Sequence, residues 1–425
     1  MRTILLVCVF IAAIFSPCMK PALSADAPRK GLPQATPDDV GLLASHLKYI
    51  DDLVGAAIKA GETPGAVVLI ARHGRIAYSR AFGNRSIQPR REAMTVDTIF
   101  DMSSLTKVVA TAPSIMLLVE NGTLRLDDKV KRYLPGFTGG GKDNITLRHL
   151  LTHYSGLAPD FNLSKQWFGY SAALEELWKT DTKSEPGKEF SYSDLNYIAL
   201  GEIIRVVSGK PLDEFAQEHI FLPLGMTDTG FHPSPKLLPR IAPTESRRNT
   251  LKYLKGLASL ASMDQILRGE VHDPTAWKMG GVAGHAGLFS SAQDLAIFAQ
   301  MMLDGGSYHG GRLLSSLTIQ AMTSPQSPPN SAEARGYGWD LESAYSSPRG
   351  DIFLVEGSAE ESVSEAVGHL SSYCRPLLYN GYLLSLFNSL QQFFFIYPGY
   401  FLQHVQPELT ANDGGYREQA VTLFA

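Results

Sequence analysis

Phe100-Asp101-Met102-Ser103-Ser104-Leu105-Thr106-Lys107 is the stretch whose reading decides the rest of this chain. Thr95 to Ile99 reads as an extended approach to it. Leu105 to Glu120 carries an apolar stripe (Val108, Val109, Ala112, Ile115, Met116) close to the helical period, with Ser103 as the expected cap. Residues three apart share a helix face, so the Ser104 hydroxyl and the Lys107 amine are expected side by side in the first turn. There the orphan N–H groups and the dipole disfavour a second cation. A half-buried lysine in that position is expected to lose proton affinity and to activate Ser104 as a nucleophile. The same spacing is common on solvated helix faces, so the pair needs partners from elsewhere in the chain.

Outward from this point, the pattern is α+β. Val40 to Ala60 has Leu43, Leu47, Ile50, Val54 and Ile58 at helical spacing. Pro64-Gly65 turns into an apolar run, Ala66 to Arg72, and His73-Gly74-Arg75 connects it to Ile76 to Ala81 as a hairpin. An antiparallel sheet beside the nucleophile helix follows. Pro113 is expected to kink that helix after the catalytic turn, and Asn121-Gly122 to end it.

Further along, His153 follows Thr146 to Leu151 and reads as a bonded structural group. Ser191-Tyr192-Ser193-Asp194 precedes a second apolar helix ending at Gly209. Tyr192 and Asp194 would point the same way if locally extended, and a phenol beside an ammonium is more acidic than usual and can shuttle a proton. The bland reading of the same residues is loop packing by Tyr192 and helix capping by Asp194. Arg240 to Gly280 is irregular and reads as a lid or rim. Gly280 to Ser291 is glycine-rich, implying close backbone approach or positive φ, and leads into a helix, Ala292 to Leu303, capped by Ser291.

The composition is globular, at 44% hydrophobic residues over 425. Residues 1–25 read as a secretory signal peptide: Arg2, an apolar run from Ile4 to Phe15, and a small-residue region at Ala22-Leu23-Ser24-Ala25. That run is short for a bilayer span, and no membrane association is expected after cleavage. The leader carries Arg2 and Lys20 and no acid, so its removal moves the net charge from −4 to about −6, which argues against a nucleic-acid partner. Cys8 and Cys18 leave with it. Cys374 alone remains, so no internal disulfide is expected. Localisation is expected to be periplasmic or secreted.

Taken in order, Ser104-Leu105-Thr106-Lys107, Leu150 to Leu157, Tyr192-Ser193-Asp194, Leu222-Pro223-Leu224-Gly225-Met226, Gly284-His285-Ala286-Gly287-Leu288 and Gly336-Tyr337-Gly338-Trp339-Asp340 resemble the serine β-lactamase and penicillin-binding protein superfamily. The nearest branch is that of class C β-lactamase-like serine hydrolases and esterases. The resemblance implies a β-lactamase/transpeptidase-like fold: an antiparallel sheet flanked by helices, with an inserted, mostly helical subdomain and the active site between them. It further implies that Ser104 is the nucleophile, that Lys107 and Tyr192 manage its proton, and that the oxyanion is held by the Ser104 N–H and one from a strand bearing a third motif. Asp194 stands where many members have Asn. As an ionised carboxylate it accepts hydrogen bonds only, so it suits Lys107 better than a substrate carbonyl. No cofactor or metal is implied.

The third motif, Lys-Thr-Gly or His-Thr-Gly, is not found after Phe353. His285-Ala286-Gly287 comes too early and reads as structural. The expected division is a leader (1–25), a flexible lead-in (26–39), a serine hydrolase domain (40–353) and a C-terminal segment (354–425) departing from the family pattern, one explanation being translation out of frame. The expected function is acyl-enzyme hydrolysis of a small ester, a β-lactam or a peptidoglycan-derived D-Ala peptide. The alternative is a catalytically impaired binding protein of the same fold.

Overall fold

A computed structural model describes residues 31–247, 265–343 and 420–424. The expected leader lies outside them. The main sheet is antiparallel, in the order β11-β1-β2-β3, built from β1 (Gly65–Arg72), β2 (Arg75–Ser86), β3 (Glu92–Ala93) and β11 (Ala420–Phe424). β1 is buried along its whole length, as its continuous run Ala66 to Ala71 demands of a central strand. A second antiparallel sheet, in the order β4-β6-β5, joins β4 (Ile99–Asp101), β5 (Gly230–Phe231) and β6 (Leu288–Ser291). Two short pairs complete the strands, β7 (Ser307–Tyr308) with β8 (Gly311–Arg312), and β9 (Ala334–Arg335) with β10 (Asp340–Glu342).

The helix Ala44–Ala60 and the helix Ala292–Leu303 pack on the main sheet. Leu47, Ile50, Val54, Leu295 and Phe298 join β1 in one apolar core. Between β4 and β5 the secondary structure is helical, with Leu147–Leu151, Tyr170–Lys179, Asp194–Ser208 and Leu212–Ala216. This is the expected α+β arrangement, a sheet with helices and an inserted helical part. Among the described residues, no helix is long and apolar enough to cross a membrane.

Two expectations are corrected. The lead-in is seated from Gly31 onward: Leu32 and Val40 are buried, and Ala35 N–H donates to Ile76 O at 2.9 Å. At Pro113, where a kink was expected, the nucleophile helix widens in the turn just before the proline. Lys107–Thr111 form a π-type turn in which Ala112 N–H reaches back five residues to Lys107 O. Proline leaves the carbonyl four residues earlier without its donor, and the widened turn absorbs that mismatch. Gln217–Phe221 repeat the arrangement just ahead of Pro223, with Leu222 N–H on Gln217 O. Beside these, β11 pairs with β1 from Val68↔Phe424 to Arg72↔Ala420, so residues 420–424 supply a strand of the main sheet.

One glycine ties the halves together. A Cβ on Gly284 would lie 1.8 Å from Tyr197 O, so the loop before β6 touches the helix Asp194–Ser208 backbone to backbone. Gly284→Ala is expected to destabilise the chain by about 3 kcal/mol, through forced separation of packed main chains. Gly55→Ala, inside a helix with nothing within 4 Å of the new carbon, is expected to stabilise by about 0.5–1 kcal/mol. Urea unfolding of both variants checks the contrast.

Candidate active site

β4 delivers the chain to Met102, whose N–H donates to Leu288 O of β6 at 2.8 Å. Ser103 then turns into the left-handed region, φ +46°. Its own side chain does not cap the helix. Its N–H is instead accepted by Asp101 Oδ1 at 2.9 Å, and this holds the strained turn. Ser104 follows, at the mouth of the helix.

Lys107 lies one turn on, buried at 2% side-chain exposure, and its amine faces three oxygens, the first two as hydrogen-bond acceptors and the third as an ion-pair partner. They are Ser104 Oγ at 3.0 Å, His285 O at 3.2 Å and Asp194 Oδ1 at 2.7 Å. Asp194 begins its helix, with its own N–H on Pro159 O at 2.7 Å, and its carboxylate serves Lys107 instead of capping. The Tyr192 ring centre is 4.9 Å from Lys107 Nζ, and its phenol oxygen is buried. The structure therefore brings three of the four sequence-derived residues, Ser104, Tyr192 and Asp194, around the amine of the fourth, Lys107.

His153, expected to be structural, stacks on Tyr192 with ring centres 4.5 Å apart. Its Nδ1 accepts from Ser193 N–H at 3.0 Å and lies 3.1 Å from Asn196 Nδ2. Burial, with the charges of Arg335 and Lys107, pushes its pKa well below the ordinary histidine value. It is a neutral brace for the Tyr192 segment.

A second tier of groups was not legible as functional. Within the expected lid, His272 is buried and Asp273 is 22% exposed at its side chain, and both turn inward to residues of the site. His272 donates its main-chain N–H to Asp101 Oδ2 at 2.9 Å, and its Nδ1 lies 3.0 Å from the same oxygen. Asp273 Oδ1 is 3.0 Å from His285 Nε2 and accepts Ala276 N–H at 2.7 Å. Burial pushes Asp273 up, but the His285 imidazolium outweighs it and holds the carboxyl below its usual range. Asp160, bonded by the Thr275 hydroxyl, is raised by burial and by the charges of Asp194 and Asp273. The Asp273-Pro274 pair, a cap residue followed by proline at a helix start, was the available signal for this segment.

Asp194, Asp273 and His285 each offer an atom within 4.8 Å of the others, a spacing that could hold a cation. Both carboxylates already face one, however: Lys107 on Asp194 and the His285 ring on Asp273. The group is a charge network coupled to Lys107.

His272 makes stability depend on pH. Burial alone pushes it down; the Asp101 carboxylate, with Asp273 and Glu245 beyond it, outweighs this and lifts it to about 9 from an ordinary 6.5. The folded state thus binds the proton more tightly than the unfolded chain. The stabilisation is complete below pH 6.5 and is lost as pH rises through 9. Its size is about 3 kcal/mol. Urea unfolding at pH 6.5 and 9.5 should show that loss in the parent and much less of it in His272→Gln.

The fold and the serine–lysine pair define a β-lactamase/transpeptidase-like protein. The chain belongs to the Beta-lactamase family, whose sequence model matches residues 50–379 and so runs past Phe353, where the resemblance was read to stop. A relative from Salmonella typhi, provisionally named D-alanyl-D-alanine carboxypeptidase, is 33% identical over 330 residues, covering 72% of this chain and 75% of its own length. EstCE1, described as a hydrolase with promiscuous acyltransferase activity, is similar at 25% identity and a TM-score of 0.56, over 70% of this chain and 83% of its own. A class C β-lactamase from Rhodobacter sphaeroides shares the fold at 20% identity and a TM-score of 0.55, over 72% of this chain and 80% of its own. The stretch expected to carry the third motif, beyond Phe353, lies outside the described residues.

Proposed function

We propose that this chain is an exported serine hydrolase, periplasmic or secreted, that cleaves an ester or amide through an acyl-enzyme on Ser104. The observation that carries the reading is the 3.0 Å contact of Lys107 Nζ with Ser104 Oγ, made by a buried amine that Asp194 and His285 O hold in place. With the Lys107–Tyr192 pair one proton short, as a neutral amine or a phenolate, Ser104 Oγ attacks the substrate carbonyl carbon as its proton passes to that pair. The C–O or C–N bond breaks, and the leaving group takes that proton. Water then attacks the acyl carbon, gives a proton to the same pair, and the acid leaves as Ser104 Oγ is reprotonated. Asp194 keeps Lys107 aimed and does not donate to the substrate.

The name of the Salmonella relative makes a D-Ala-terminated peptide the first substrate to try, beside a small ester and a β-lactam. The test is incubation with a fluorophosphonate and with a fluorescent penicillin, followed by mass mapping of the adduct. An adduct on the peptide containing Ser104 is expected. An adduct elsewhere overturns the assignment. The missing Lys/His-Thr-Gly triplet favours a second reading, a binding protein of the same fold. A chain that melts cooperatively yet takes no adduct assigns it.

A further inference from the structure

The consecutive residues His272 and Asp273 come from a stretch with no catalytic motif, yet each ends on a different half of the serine–lysine pair. His272 donates its main-chain N–H to Asp101 Oδ2 and sets Nδ1 3.0 Å from the same oxygen, leaving Oδ1 to take the Ser103 N–H. Asp101 is 3% exposed and His272 7%, so water does not compete for these contacts. Ser103 occupies a backbone region that serine rarely adopts, and its N–H bond to Asp101 is what the turn before Ser104 rests on. Asp273 Oδ1 meets His285 Nε2 at 3.0 Å, and His285 O accepts a hydrogen bond from Lys107 Nζ at 3.2 Å. The His285 ring is wholly buried, so the carboxylate fixes the residue whose carbonyl faces Lys107.

We propose that His272 and Asp273 are the positioning residues of the Ser104–Lys107 pair. His272 acts through Asp101 on the turn that presents Ser104, and Asp273 acts through His285 on the carbonyl that aims Lys107. Neither touches the substrate. Because both hang on one peptide unit, the nucleophile and its base are held to a common support, which two separate loops would not provide. The inference rests on the acyl-enzyme reading above.

The test is the rate of fluorophosphonate acylation, resolved into a maximal rate and an apparent affinity. His272→Ala and Asp273→Ala are expected to lower the maximal rate about tenfold or more, with apparent affinity within about twofold of the parent. His272→Gln, which still donates to Asp101, and Asp273→Asn, which still accepts from His285, are expected to return to within about threefold. If an alanine variant fails to melt cooperatively, the double replacement Asp101→Leu with His272→Leu takes its place. It leaves no buried charge unpaired but removes the anchor of Ser103, and it is expected to be folded and slow. Parent-like rates in the folded disruptive variants overturn the proposal, as do conservative variants as slow as the alanine ones. A parent chain that is never labelled on Ser104 instead overturns the acyl-enzyme reading, so the two failures are distinct.

Discussion

Ser104→Ala is expected to abolish covalent labelling and to lower turnover of any accepted ester or amide by at least roughly 10⁴-fold, since the oxygen that forms the acyl bond is removed. The fold should hardly notice. Among the described residues the Ser104 hydroxyl has one side-chain partner, Lys107 Nζ, and loss of that bond costs about 1 kcal/mol. Labelled protein should therefore vanish while the melting midpoint moves by a few degrees only. Apparent affinity for an intact substrate should also persist, because the cleft walls are untouched. Stopped labelling without loss of the cooperative melt is the result that supports the assignment. Continued labelling of Ser104→Ala at the parent rate removes it.

Lys107→Met is expected to lower the maximal acylation rate by about 10³-fold, with little change in apparent affinity. Methionine fills the volume of the lysine stem, so the buried helix turn keeps its packing. What disappears is the group that faces Ser104 Oγ, Asp194 Oδ1 and His285 O together. Lys107→Arg should not rescue it: a guanidinium is larger, stays protonated and presents a planar fork where three acceptors surround a point charge. A kinetic trace of fluorophosphonate consumption gives both numbers. A rate within tenfold of the parent for Lys107→Met would falsify the role given to the amine, and recovery with arginine would argue for charge alone.

Local pattern carried a good deal of this. The run Ala66 to Ala71 is too apolar and too short for anything but a buried strand, and it is the centre of the main sheet. Leu105 to Glu120 reads as a helix at once, and three-residue spacing puts Ser104 and Lys107 on one face whatever the tertiary structure does. Ser291 as a cap, Gly122 as a helix end and the glycines before β6 are likewise local chemistry. Tyr192 and Asp194 could be nominated from the sequence, but without order in space the bland reading of each was the stronger one.

The rest depended on contacts between residues far apart in the chain. Nothing in Arg240 to Gly280 has a periodicity, so His272 and Asp273 looked like rim. Their meaning comes from Asp101, 171 residues earlier, and from the His285 carbonyl on Lys107, a bond spanning 178 residues. The widening of the helix before Pro113 was equally out of reach: proline says that a hydrogen bond is missing, but the packing around the helix decides whether the chain bends or takes an extra residue into the turn. By itself, then, the sequence determined the strands, the helices and the serine–lysine pair, because period and spacing are properties of neighbouring residues. Folding alone set the contacts of Asp101 with His272 and of Asp273 with His285, which brace the turn and the carbonyl facing Lys107. Charge pairing at 3 Å is set by how distant segments pack, and no local pattern encodes that distance.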